Sequence, residues 1–297
     1  MVATEPGLQN VDALTRAFAD ARVVINAHGA FAVTGHDVAG AALAAGCHYV
    51  DTSNEQHWLV KAREVWHQQY ADRGLLMVPG LAQPFTTSEI AANISLETPG
   101  AQALDILTLW TELAADSSVR WLSRVAEHHG FDARDPGTWR LDRVLNLRVP
   151  GRSEPGMAIR CDESPHEVWF RDDARVTELR AYGGAAERSA LERALAEELT
   201  CGSDEGASPI SHGRRVDTSI DVVYSEGHGR RTHVVMEGAR PYDQTATLHA
   251  VAARYLLTEA PRRTGFASGC QAFGHRFLLD ALVDAELMLP PAVTVDA

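Results

Sequence analysis

The sequence predicts an α/β fold: a parallel sheet in its first third, then a region that contains antiparallel strands. Three observations predict it. Between residues 11 and 96, short apolar runs alternate with helical patterns of about 10–15 residues, the signature of successive βα units. The runs VVI and LLMV are continuously apolar, as expected of parallel strands covered on both faces. Beyond residue 215, alternating residues flank the turn SEGHGR, which predicts a β-hairpin.

The elements follow in order. Residues 11–20 (VDALTRAFAD) place Val11, Leu14 and Phe18 on one helical face, with Asn10 as a plausible N-cap. ARVVIN then reads as a buried strand ending at Asn26, and HGAFAVTG as a turn-rich loop. His36 to Ala45 is alanine-rich and helical, with Gly46 as its stop. A second strand is expected over Cys47–Asp51, a helix over Glu55–Asp72 stopped by Gly74, and a third strand over Leu75–Val78. After PGLAQPF, Thr87 to Leu96 reads as helix capped by Thr86 or Thr87.

From about Thr98 the pattern changes. Residues 105–130 read as two helical or mixed stretches, 131–165 as Asp-, Arg-, Pro- and Gly-rich, and 198–213 as loop. Glu167–Arg171 and Arg175–Arg180 are candidate short strands. Val216, Thr218, Ile220, Val222 and Tyr224 share one strand face, opposite Asp217, Ser219 and Asp221, and THVVMEG returns as the second arm of the hairpin. The tail is helical: Leu248, Val251, Ala252, Tyr255 and Leu256 form one stripe, and Phe273, Phe277, Leu278, Ala281 and Leu282 another.

Composition narrows the function classes. A length of 297 residues suggests two domains, and 45% hydrophobic with 23% charged residues is ordinary for a globular chain. A formal charge of −13 argues against a nucleic-acid partner and against an anionic membrane surface. The N-terminus has no signal-peptide pattern, and no apolar run approaches the ~20 residues of a membrane helix. Cys47, Cys161, Cys201 and Cys270 are scattered, which implies buried free thiols in a reducing, cytoplasmic setting rather than a disulfide or zinc framework. Lys61 is the one lysine and sits on a polar helix surface, so Schiff-base chemistry is disfavoured.

In open parallel sheets, ligands bind beyond the carboxyl ends of the strands. Those ends are Asn26–Gly29, Asp51–Glu55 and Pro79–Pro84, three polar or Gly-rich loops on one edge. His28 has a side chain suited to proton donation, beside the ordinary reading of a loop histidine bonded to backbone. Asp51 and Glu55 could form an acid/base pair, beside the reading of Glu55 as a helix-start carboxylate. His28, His36, His48 and His57 lack metal-ligand spacing, so no metal is expected. The string GFASG has the wrong spacing for a nucleophile elbow, and the Arg pairs 214–215, 230–231 and 262–263 read as solvated.

The segment VVINAHGAFAVTGHDVAGAALAAGCHYVDTSNE, followed by LLMVPGLAQPFTTSEIAA, resembles the saccharopine dehydrogenase-like reductases. The tail segments GARPYDQTATLHAVAARYLL and GFASGCQAFGHRFLLDAL are similar to the closing helices of that family. The resemblance lies in two blocks, Val11–Leu96 and Gly238–Leu282. It implies an incomplete Rossmann-type parallel sheet with an inserted α+β domain containing antiparallel strands. It places a partial dinucleotide-binding domain at residues 1–97, joined by C-terminal helices from 240–297, and a substrate or dimerisation domain at 98–239. It implies NADP or NAD as cofactor and reduction of an imine or carbonyl of a small-molecule substrate. Asn26, His28, Gly29 and Phe31 would then face the nicotinamide ribose, Asp51 and Thr52 would close that pocket, and Gly80, Gln83 and Pro84 would border the substrate.

The sequence departs from that family in two places. No G-x-G-x-x-G follows a strand: Gly227 and Gly229 lie in the hairpin turn, and Gly183-Gly184 follows no convincing buried strand. Ala30 stands where the family usually has proline. Relative to the family the chain begins about two βα units late, roughly 60 residues. A sheet without those strands has an exposed edge, which a second copy or a partner chain would cover. Two readings stand: a reductase whose glycine loop lies upstream or in a partner, and a cofactor-free remnant acting as a non-catalytic assembly subunit.

Overall fold

The structure is a computed structural model and describes residues 10–100, 102–111, 144–149, 153–193 and 218–296. They fall into two compact units.

The first unit takes its residues from Met1–Ile94, Glu163–Ala174 and Tyr242–Leu287. Its sheet has four parallel strands in the order β1 (Val23–Asn26), β2 (His48–Asp51), β3 (Leu76–Val78) and β10 (Gly265–Phe266). Every residue of β2 and β3 is buried, which explains their unbroken apolar composition. β1 pairs with β2 alone among the described residues, and its Ile25 is 45% exposed. The two-residue β10 escaped sequence reading because it is too short to carry a period.

Between the strands run α1 (Val11–Ala17), α2 (Phe31–Ala44), α3 (Gln56–Asp72) and α4 (Phe85–Ser95). Asn10 caps α1 through its side chain, as expected. α2 begins five residues before the expected His36: Phe31 and Thr34 turn into the core, so residues 31–35 of the expected loop are the first turn of the helix. α4 begins at Phe85, ahead of the expected caps; the Thr87 and Ser88 hydroxyls instead return to the Pro84 carbonyl. α3 buries Trp58, Leu59, Ala62, Trp66 and Tyr70 along one stripe, and the Tyr70 hydroxyl donates to Ala39 O on α2 at 2.8 Å. Each such large side chain contributes about 1.5–3 kcal/mol by leaving water.

Residues 165–169 form a short helix, α5 (Pro165–Trp169), not the expected strand. Ser164 caps it and Pro165 opens it, a helix start that outweighs the strand-like composition of the segment. Its His166 is fully buried, with Ser88 Oγ at 2.9 Å from Nε2 and Ser164 Oγ at 2.7 Å from Nδ1. Burial pushes the imidazole down to about 4, so it is neutral near pH 7 and pins α5 to α4. α6 (Pro241–Thr258) follows the predicted stripe. The last helical stripe is two helices, α7 (Gly269–Phe273) and α8 (His275–Asp284), broken at Gly274, whose φ of 91° is open to glycine.

The second unit carries a seven-stranded mixed sheet in the order β11-β9-β8-β4-β7-β6-β5. Its strands are β4 (Gln102–Trp110), β5 (Val144–Leu147), β6 (Gly156–Arg160), β7 (Val176–Ala185), β8 (Thr218–Gly227), β9 (Arg230–Ala239) and β11 (Ala292–Asp296). Among the described residues of this sheet, only the β4–β7 pair is parallel. Of the stretch 105–130, read as helical or mixed, the start is strand, 102–110; residues 112–143 lie outside those described. Gly183-Gly184 belongs to β7. The hairpin β8–β9 turns at His228 and Gly229, both with positive φ, as a tight primed turn requires. Both faces of β8 are buried, because Ser219 and Asp221 are covered as well as Ile220 and Val222; Thr108 Oγ1 donates to Asp221 at 3.1 Å. Val216, the 198–213 loop, Cys201 and the 214–215 Arg pair lie outside the described residues.

Candidate functional site

The carboxyl ends of β1, β2 and β3 in the first unit are tied by one chain of hydrogen bonds. Asn26 Nδ2 donates to the Tyr49 hydroxyl at 3.1 Å. That hydroxyl donates to Asp51 Oδ2 at 2.9 Å, and Gly80 N–H donates to Asp51 Oδ1 at 2.8 Å. The sequence placed Asn26, Asp51 and Gly80 at three strand ends; the parallel register, with Asn26 opposite Asp51, brings them together.

Asp51 is wholly buried and accepts from five donors, the other three being Ser53 N–H, Ser53 Oγ–H and Trp58 Nε1–H. Burial raises its pKa, and the donors from Ser53, Gly80 and Trp58 oppose that rise. A carboxylate with both oxygens filled has no lone pair aimed at a substrate. Asp51 therefore positions the loops rather than exchanging protons. Burial, then the Asp51 carboxylate, hold the Tyr49 hydroxyl well above its usual range.

Glu55 stands at the N-terminal boundary of α3 but serves the preceding helix: its carboxylate accepts Phe31 N–H at 3.2 Å and Ala32 N–H at 2.8 Å. The first turn of α2 thus has its positive end neutralised from within the chain. Ala30, which enters α2 with φ 56° and ψ 51°, occupies the left-handed region that favours glycine.

The remaining sequence-selected residues are placed as follows. His28 is exposed, its N–H bonded to Asn26 Oδ1 and its Nδ1 3.1 Å from Gly29 O. Gly29 is exposed, with open space where a side chain would stand. Phe31 is buried in the core as the first residue of α2. Thr52 is half-buried, with its N–H on Asn26 O at 3.4 Å. Gly80 has φ 79°, and a Cβ there would lie 2.9 Å from Trp169 Cζ2. Gln83 is buried, with its N–H on Thr245 Oγ1 at 3.1 Å; Pro84 follows it through a cis peptide.

Sequence reading missed His249 and Trp169. His249 sits on the apolar stripe of α6, 5% exposed, with Nε2 2.6 Å from Leu81 O. Trp169 is 3% exposed and backs Gly80. A histidine beside Leu248 in an otherwise apolar stripe was the only available sign. Among the described residues no group of three or more His, Cys, Asp and Glu could hold a metal, and no helix is long and apolar enough to cross a membrane.

A dinucleotide needs free backbone N–H groups at a helix N-terminus for its pyrophosphate. The first amides of α2 are taken by Glu55, and the sequence contains no G-x-G-x-x-G. The strand-end loops are polar, and the first turn of α2 does not fit a pyrophosphate.

Residues 2–78 match the family model described as the saccharopine dehydrogenase NADP binding domain, overlapping most of the first block of the resemblance drawn from sequence. That match supports an oxidoreductase-type, nicotinamide-cofactor domain. No curated protein matches the chain. Solved structures similar to it include a DAP dehydrogenase of C. glutamicum in complex with DAP, at 14% identity and TM-score 0.47, covering 97% of this chain and 88% of that one. An engineered D-amino acid dehydrogenase bound to NADP+ is similar at 13% identity and TM-score 0.43, covering 97% and 89%. Residues 86–205 and 191–297, together more than two thirds of the chain, match the model of a family of unknown function, DUF5938, and the chain belongs to that family.

Proposed function

We propose that this chain is an NAD(P)-dependent oxidoreductase that reduces an imine or carbonyl of a small metabolite at the carboxyl ends of β1–β3. The observation that carries the reading is the Asn26–Tyr49–Asp51–Gly80 hydrogen-bond chain, which fixes three loops at the edge where such sheets bind ligands. The match of residues 2–78 supports the cofactor class. The nicotinamide supplies a hydride. Asn26, Gly29, Phe31 and Thr52 border its ribose side, with Asp51 beneath, and Gly80, Gln83 and Pro84 border the substrate. His28, exposed at the loop tip, is the proton-donor candidate. The phosphates are held by a partner chain or a second copy that also covers β1. The test is consumption of NADPH or NADH by the purified chain with a panel of cyclic imines and ketones. Turnover that falls at least tenfold in Asn26→Leu supports the reading; no turnover with any pair, by the chain alone or with a co-purified partner, contradicts it.

A second reading is a cofactor-free assembly subunit. The Glu55 carboxylate on the first amides of α2 favours it, because an anion there meets a carboxylate. Co-purification with a partner chain, without nucleotide binding by the complex, would support it.

A further inference from the structure

The edge strand β11 is left open by the second unit. It pairs with β9 and, among the described residues, with no other strand. All five of its residues are exposed, Val293 at 48% and Val295 at 52%. Opposite these valines on β9 stand Val234 and Thr232, both buried, so a covered row of the sheet runs outward and stops at two uncovered valines. Proteins usually blunt such an edge with a lysine, an inward-pointing charge, a bulge or a proline within the strand. The segment AVTVD has none of these. Pro290 and Pro291 precede it, its register against β9 is unbroken, and its one charge, Asp296, is its last residue.

The order of residues in the strand selects what pairs there. About a two-fold axis at Thr294, a second copy of β11 runs antiparallel to the first. Val293 then stands opposite Val295 of the second copy, Thr294 opposite Thr294, and Ala292 opposite Asp296. Valine and threonine pairs of this kind are favourable across antiparallel strands, and like charges directly opposite are not. This register sets no charge against a like charge. It also uses all five residues and keeps Pro291, which lacks an N–H, out of the ladder. Moving the axis to Val293 would place Pro291 opposite Val295. The strand is therefore self-complementary in one register.

We propose that β11 is a homodimerisation strand: two copies of this chain join their second-unit sheets edge to edge, antiparallel, about Thr294. The inference concerns the second unit and is independent of the oxidoreductase reading of the first. Five residues a side is well below the about 20–30 of a standard interface, so the dimer is weak, with a dissociation constant in the micromolar range or above.

The test is sedimentation equilibrium of the full chain over a range of concentrations, beside two double variants, Val293→Lys/Val295→Lys and Val293→Glu/Val295→Glu. Both positions are exposed, so the variants keep the fold. The expected result is a reversible monomer–dimer equilibrium in the parent chain. It is weakened at least tenfold in either variant alone, where like charges face each other across the axis, and recovered when the two variants are mixed. A second measurement reads the register without relying on those variants. Under a mild thiol oxidant, Thr294→Cys, whose thiols oppose each other, gives a disulfide-linked dimer, and Ala292→Cys, which faces Asp296, does not. A parent chain that stays monomeric up to about 1 mM overturns the proposal. So does a dimer that neither double variant weakens, a mixture that does not recover it, or equal cross-linking of Ala292→Cys and Thr294→Cys.

Discussion

The loops after β1 and β2 leave the same sheet edge but are built in opposite ways. After β2, Asp51 is buried and takes five donors, locking Ser53, Trp58 and Gly80 around one carboxylate. After β1, residues Ala27 to Ala30 are exposed, and His28 is held by two local bonds. The loop after β2 is scaffold, and the loop after β1 is exposed. The difference teaches that a carboxylate at a strand end is not by itself a catalytic group: its burial and the number of its donors decide.

The largest effect is expected at the scaffold. Asp51→Ala leaves five donors without their acceptor and should destabilise the chain by about 3–5 kcal/mol, read as a lower urea midpoint. A loss below about 1 kcal/mol would remove Asp51 from the centre of the scaffold.

Next comes a pH effect at Glu89 on α4, which is wholly buried. It accepts from the Ser268 hydroxyl and from Cys270 N–H. Burial raises its pKa from 4.5 to about 7. A raised folded-state pKa means that the folded chain holds its proton longer than the unfolded one. The associated stability is full below pH 4.5 and is lost as pH rises through about 7. The change is roughly 3 kcal/mol at about 1.4 kcal/mol per pKa unit. Glu89→Gln should flatten this pH dependence in urea melts between those two values; an unchanged slope would assign it elsewhere.

Gly80→Ala introduces a Cβ 2.9 Å from Trp169 Cζ2 at a φ of 79°, and should cost about 1–3 kcal/mol. At the open loop the effects shrink. Glu55→Gln removes the charge and one of the two acceptors, because an amide NH2 cannot accept an N–H, and should cost about 0.5–2 kcal/mol by thermal melting. His28→Ala should change stability by less than about 0.5 kcal/mol. A large loss at His28 would erase the contrast between the loops.

Much of the first unit was legible because its signals are local. Apolar runs marked β1 to β3, Gly46 and Gly74 marked helix ends, and Asn10 marked a cap. Strand ends then located Asn26, Asp51 and Gly80 without any structure. What was not legible depends on long-range partners. Nothing near Glu55 in sequence says that its carboxylate caps a helix beginning 24 residues earlier. Glu167–Arg171 looked like strand because Ser164 and Pro165 lie just outside that window. His249 and Trp169 reach the Gly80–Gln83 loop from segments far along the chain, and no spacing rule joins them.

The most direct test of the central claim is a titration of the 297-residue chain with NADPH and NADH, following nucleotide fluorescence, with reduced nicotinamide mononucleotide as competitor. Saturable 1:1 binding, displaced by the mononucleotide and weakened in Asn26→Leu, is the result predicted for strand ends that hold the nicotinamide. No binding of any of the three up to millimolar concentration would contradict it, and would leave the assembly-subunit reading.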